Sequence, residues 1–191
     1  LKEHFLLARA TADVQRSEQA VDFYGEAITT ADQKETPFLS IHDSNTSGLT
    51  GPLDGPNGAW YALTKGSGLT QKTGPSLGSF GHGSKAPFAS SKFRTIFYLT
   101  SIEKDDGNQE TRFQGKSTLQ SYATKSGEMT QGTGFYGDPE RCQPLLDDGI
   151  PAWSKNLRLS RTADLGTSII IPGAIWDEQS TDSVTITAIA N

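Results

Sequence analysis

The sequence predicts an α/β fold: a two-layer sandwich of a mixed, largely antiparallel sheet with helices on one face. Three observations predict it. Apolar residues recur at helical spacing through the first 31 residues, two strongly apolar β runs stand at Phe93–Thr100 and Gly166–Gly173, and weaker β runs lie between them. With 191 residues and a mass of 20.5 kDa, the chain suits one domain with a real core.

In chain order, Leu1, Phe5, Ala8 and Ala12 share one side of a helix running to about Val14. Ala20, Val21, Tyr24, Ala27, Ile28 and Ala31 define a second helix with Ser17 at its N-cap, and Gly25 weakens its interior. Pro37 closes this region, and Phe38–Ile41 reads as a short buried strand leading into Asp43. A short helix is expected over Ser84–Ser91. Phe93–Thr100 is the strongest strand, its Ile96–Leu99 run placing it centrally with both faces covered. Thr111–Gly115 and Leu119–Thr124 read as weaker strands, with Asp105–Asp106 at a hairpin tip before Gly107. Gly132–Gly137 is turn-rich, and 138–161 reads as irregular because of Pro139, Pro144, Gly149 and Pro151. Gly166–Gly173 is the second strong strand. Over Ser183–Asn191 the alternation favours a strand, whereas the resemblance given below implies a helix entering a further domain; a helix is the expectation.

Composition excludes several classes. Hydrophobic residues are 34% and charged residues 20%, which fits neither a membrane protein nor an acidic disordered tail. A net charge of −5 gives no indication of a nucleic-acid partner. Cys142 is the only cysteine, so no internal disulfide or Cys/His zinc set can form; a reducing cytoplasmic setting is expected, with Cys142 as a packing residue. The chain starts at Leu1 and its only methionine is Met129, so a piece of a longer protein is expected.

Ten of the 20 glycines fall between Gly48 and Gly83, a density that forbids long regular structure. Trp60, Tyr61, Leu63, Phe80 and Phe88 are interspersed, which suits a functional loop or lid better than a solvated linker.

Three places could hold chemistry. At Asp43-Ser-Asn45-Thr-Ser-Gly48-Leu49-Thr-Gly51, a partly desolvated carboxylate at a strand end precedes glycines that let backbone approach a flat ligand; an Asx turn or cap made by Asp43 and Asn45 explains the same residues. At Gly78-Ser-Phe-Gly81-His-Gly83-Ser-Lys85-Ala86, glycines before a helix start offer amide N–H groups and dipole potential to a phosphate. The register is not a P-loop, because Ser84 separates Gly83 from Lys85, and not G-x-G-x-x-G. At Gly166-Thr167, a threonine heads an apolar strand and could point its hydroxyl into a pocket. His82 reads as a surface-loop residue, His4 and His42 as structural or solvated, and Ser79 as no nucleophile without an adjacent base.

In this order the three features resemble the GHKL (gyrase, heat-shock chaperone, histidine kinase, MutL) ATPase superfamily with its Bergerat fold. A closer likeness is to a set of bacterial ATP-binding proteins carrying D-x-N-T-x-G-L-x-G, a G-S-F-G-x-G lid, R-T-x-F-Y-x-T, F-Q-G, G-x-G-x-Y-G and a late G-T-S. Here these stand at Asp43–Gly51, Gly78–Ala86, Arg94–Thr100, Phe113–Gly115, Gly132–Gly137 and Gly166–Ser168. The resemblance spans about residues 1–191 and implies a single ATP-binding domain with ATP and Mg²⁺ as cofactors. It implies that Asp43 accepts a hydrogen bond from the adenine amine, that Gly48 lets the base lie against backbone, and that Thr167 supports the same adenine. It includes Asn45 and Gly51 in the site, wraps the phosphates with Gly78, Gly81 and Gly83, and adds Lys85, displaced by one residue from the family register, as a phosphate contact. It further implies a nucleotide-gated clamp working through a homodimer or downstream domains. The family's upstream N-box helix carries a Glu that activates water and an Asn that binds Mg²⁺. No Glu-x-x-x-Asn precedes Asp43, since Glu18 and Glu26 are followed four residues on by Asp22 and Thr30. The catalytic residues are therefore unknown, and weak nucleotide binding with almost no hydrolysis is expected of these 191 residues alone. The rival expectation is a non-catalytic module whose glycine-rich loop contacts a protein or a sugar; a P-loop-like kinase ranks third.

Overall fold

The computed structural model describes residues 1–66, 85–154 and 165–175. Helices α1 (Lys2–Val14) and α2 (Glu18–Ala31) come first, then strand β1 (Phe38–His42) and the short helices α3 (Ala59–Thr64) and α4 (Ala86–Ala89). Strands β2 (Thr95–Glu103), β3 (Gln109–Thr118), β4 (Thr133–Tyr136) and β5 (Leu145–Leu146) follow, then the single turn α5 (Ala152–Ser154) and strand β6 (Gly166–Pro172). All six strands join one sheet in the order β1-β6-β2-β3-β4, with β5 also paired to β3. Every pairing is antiparallel. The α/β sandwich expected from the sequence is the fold observed.

Phe5, Ala8 and Ala12 are fully buried on one face of α1, and the two alanines let the helix approach Tyr24 and Ala27 of α2 closely. The pair is fastened to the sheet's end by Phe93, stacked 5.7 Å from Phe5, and by the Tyr24 hydroxyl, which accepts the Gln120 N–H at 2.8 Å. Ser17 is the N-cap residue of α2, although its side chain makes no capping hydrogen bond. His4 is structural, its Nδ1 lying 2.6 Å from the Tyr122 hydroxyl.

Strand β2 is central, as its apolar run predicts. Ile96 and Tyr98 project to one face, where Trp60 of α3, Phe88 of α4 and Ile171 of β6 cover them. Leu99 projects to the other face among Phe113, Ile150 and Ile170, and there Trp153 of α5 packs edge-on against Phe97 and Phe113. Burying side chains of this size contributes about 1.5–3 kcal/mol each.

Several local expectations are corrected. β1 is not buried: among the described strands it lies at the sheet's edge, hydrogen-bonded to β6 alone, and it leaves Phe38 41% and Ile41 51% exposed. Residues 119–124 form no strand; Ala123 makes only an isolated bridge to Met129. The turn-rich stretch 132–137 contains β4, which pairs Lys116 with Phe135 and Gly115 with Tyr136. The stretch 138–161, read as irregular, contains β5 and α5. Cys142 is exposed and does not pack. The 104–108 hairpin is as expected, with Asp106 accepting the Asn108 N–H at 2.9 Å. The segment 183–191, expected to be helical, lies outside the described residues.

Candidate functional site

At the far end of β1, Asp43 and Thr167 hold each other through the backbone. The Asp43 N–H donates to the Thr167 carbonyl at 2.9 Å, and the Thr167 N–H donates back to Asp43 Oδ1. Thr46 donates its hydroxyl to Asp43 Oδ2 at 3.2 Å, and the Gly48 N–H donates to that hydroxyl at 3.3 Å. The carboxylate therefore organises its own turn, and Asn45 contributes a left-handed residue (φ 58) that asparagine tolerates. Asp43 is exposed, not partly desolvated as expected, because it leaves an edge strand and not an interior one.

Thr100, read in the sequence as the end of a strand and of the R-T-x-F-Y-x-T motif with no site role, ties these pieces together. Its hydroxyl donates to the Gly166 carbonyl at 2.9 Å, accepts the Leu49 N–H at 2.9 Å and lies 3.1 Å from the Thr167 hydroxyl. One donor and two acceptor positions are all a hydroxyl has. Thr100 thus joins the loop after Asp43 to the strand carrying Thr167.

Gly48 and Gly51 let the loop sit down on the protein. With φ 65 at Gly48, an added Cβ would lie 2.6 Å from the Ser101 carbonyl oxygen and 2.7 Å from Thr100 Oγ1. Gly51 (φ 107) faces Gly58, whose Cα would lie 2.5 Å from its added Cβ. Arg112, 5% exposed, then fixes the loop from below. Its Nη1 donates to the carbonyls of Gly51 (2.8 Å) and Leu49 (3.3 Å), its Nε donates to Glu110 Oε1 at 2.7 Å, and its guanidinium lies 5.7 Å from the Trp60 ring centre. The first part of the glycine-rich stretch, expected to be a lid without regular structure, is a docked loop followed by helix α3. Leu49, Leu53, Trp60 and Leu63 sink into the core there.

Asp43 and Thr167 are thus bonded to each other, Gly48 and Thr167 both meet Thr100, Gly51 is held by Arg112 in the same loop, and Asn45 lies in the turn after Asp43. Gly78, Gly81, Gly83, Ser79 and His82 lie outside the described residues. Lys85 is exposed at the N-cap of α4, a helix of only four residues and so shorter than the dipole reading assumed. Lys85 lines a different cleft, together with Phe88 and Lys116. Lys116 pairs with Ile96, whereas Thr167 pairs with Thr100 four residues further along the same face of β2, a displacement of roughly 13 Å.

Among the described residues, no group of three or more His, Cys, Asp or Glu side chains is placed to hold a metal ion. Among the same residues, no helix is long and apolar enough to cross a membrane. The chain matches no protein-family model, no curated protein and no solved structure.

Sequence reading missed Thr100 and Arg112. Neither carries a local signal: Thr100 sits in an apolar strand like any threonine, and Arg112 lies in the polar run Gln109–Thr118, where only the fold shows it buried.

Proposed function

We propose that this domain binds ATP as the nucleotide-binding part of a GHKL-type ATPase. The observation that carries the reading is the joining of Asp43 to Thr167, with Thr100 bonded to the Thr167 hydroxyl and to the Leu49 N–H of the loop that follows Asp43. An anionic acceptor and a strand-head threonine, far apart in sequence, form one hydrogen-bonded unit. In this reading the adenine amine donates to the Asp43 carboxylate, and the Thr167 hydroxyl faces the ring. Guanine places a carbonyl where adenine has the amine, and a carbonyl facing a carboxylate has no proton to share, so the site prefers adenine. Gly78, Gly81 and Gly83 then serve the phosphates, and ATP closure works as a clamp within a larger assembly. Mg²⁺ supplies charge neutralisation at the phosphates when bound; its ligands are not assigned.

The test is thermal stabilisation by ATP, ADP and GTP, each with and without Mg²⁺. ATP and ADP should raise the melting temperature more than GTP does, and Asp43→Ala should remove that adenine advantage while leaving the circular dichroism unchanged. Equal stabilisation by GTP, or stabilisation by sugars alone, would refute adenine recognition and favour a non-catalytic binding module.

A further inference from the structure

At the opposite end of the Thr100 face, a cleft of about 660 Å³ opens between the end of α3, the start of α4 and the β3–β4 pair. Lys65, Lys85, Arg94 and Lys116 all line it, and none of its described lining residues is acidic. In a chain of net charge −5, four cations converging on one cleft without a carboxylate is a local reversal of sign. None of the four forms a salt bridge among the described residues.

Lys116 has the strongest need of a counter-charge. It is half-buried, and its ammonium lies 6.0 Å from the Phe88 ring centre and 5.9 Å from that of Phe135. Two ring faces supply only weak electrostatic compensation for lost water. Arg94 lines both this cleft and a neighbouring one, its guanidinium lying 5.6 Å from the ring of Phe23 in the neighbouring cleft, and Thr118 and Thr133 add hydroxyl groups to the lining. A monovalent carboxylate would leave most of this charge unmatched. Linked phosphates match it, since lysines meet them as point charges and arginine as a fork.

We infer that this cleft binds a chain of linked phosphates through Lys65, Lys85, Arg94 and Lys116, at a place separate from the Asp43–Thr167 unit. The phosphates could belong to a nucleotide or to a free inorganic polyphosphate, and the site stands whether or not Asp43 reads adenine.

Sodium tripolyphosphate is the probe, followed by thermal shift and calorimetric titration of the 191-residue chain. At low ionic strength it should raise the melting temperature, and the effect should fade as salt rises. Lys116→Met should weaken binding by about tenfold or more. Because Lys116 is wedged between two rings, the Lys65→Ala/Lys85→Ala double variant, which leaves that packing in place, gives the same reading. Asp43→Ala should leave tripolyphosphate binding intact. If ATP binds more tightly than tripolyphosphate and Asp43→Ala erases only that advantage, the phosphates are those of a nucleotide. If the two bind alike, the site serves free polyphosphate. No stabilisation by tripolyphosphate at low salt, or unchanged stabilisation in the double variant, would overturn the inference.

Discussion

The hydroxyls of Thr100 and Thr167 meet 3.1 Å apart across the β2–β6 pair. Through that contact the centre of the sheet holds the edge on which Asp43 sits. Thr100 also satisfies the Leu49 N–H and the Gly166 carbonyl. Thr100→Val keeps the shape and removes these bonds, so it should cost about 1–3 kcal/mol. Urea denaturation reads the loss, and under the proposed function nucleotide stabilisation should fall with it.

Gly48→Ala should be more damaging than its size suggests. A left-handed alanine costs about 1–2 kcal/mol on backbone grounds, and here its Cβ also meets the Ser101 carbonyl oxygen at 2.6 Å. Gly55 has φ 91 but open space around it. Gly55→Ala should therefore show the backbone cost alone, and a smaller loss at Gly48 than at Gly55 would contradict the docking of this loop.

Tyr98 is 1% exposed, and its hydroxyl finds no hydrogen-bond partner among the described residues. Desolvation pushes its pKa upward. Removing a buried, unpaired hydroxyl relieves a desolvation cost, so Tyr98→Phe should be neutral or stabilise by about 1 kcal/mol. A clear loss of stability in chemical denaturation would show that this hydroxyl has a partner.

Burial holds the Lys116 pKa below its ordinary 10.5. The unfolded chain then binds more protons than the folded one between the two values, and stability attributable to this residue rises with pH across that interval. Tyr24 and Tyr122, raised by desolvation from 10.0, act in the opposite direction, because the unfolded chain ionises first. Subtracting the stability of Lys116→Met from that of the unaltered chain removes the tyrosine contribution. The difference should shift in favour of the unaltered chain as pH approaches 10.5. A flat difference would mean that Lys116 is fully hydrated.

The helices and the two strong strands were legible because their signal is local. Phe5, Ala8 and Ala12 mark a buried stripe by spacing alone, and the Ile96–Leu99 run announces a strand covered on both sides. The exposure of β1 was not legible, since Phe38-Leu-Ser-Ile41 reads alike at an edge or a centre, and only the order β1-β6-β2 decides between them. Helix α3 was hidden by the glycines around it, yet Trp60 has no exposed surface and anchors it. Asp43 and Thr167 were singled out for chemistry, whereas Thr100, their bridge, was not, because a hydrogen-bond hub depends on neighbours 51 and 66 residues away in the chain.

The last described strand, β6, is inserted between β1 and β2, elements that come well before it in the chain. Assembly on the ribosome must therefore wait. Until Gly166–Pro172 emerges, β1 has no neighbour among the described strands, β2 exposes one whole ladder edge, and Asp43 lacks the amide it accepts from. Such long-range closure slows folding and lengthens the time that unpaired strand edges stay exposed. Nascent chains that stop short of residue 166 cannot complete the sheet described here.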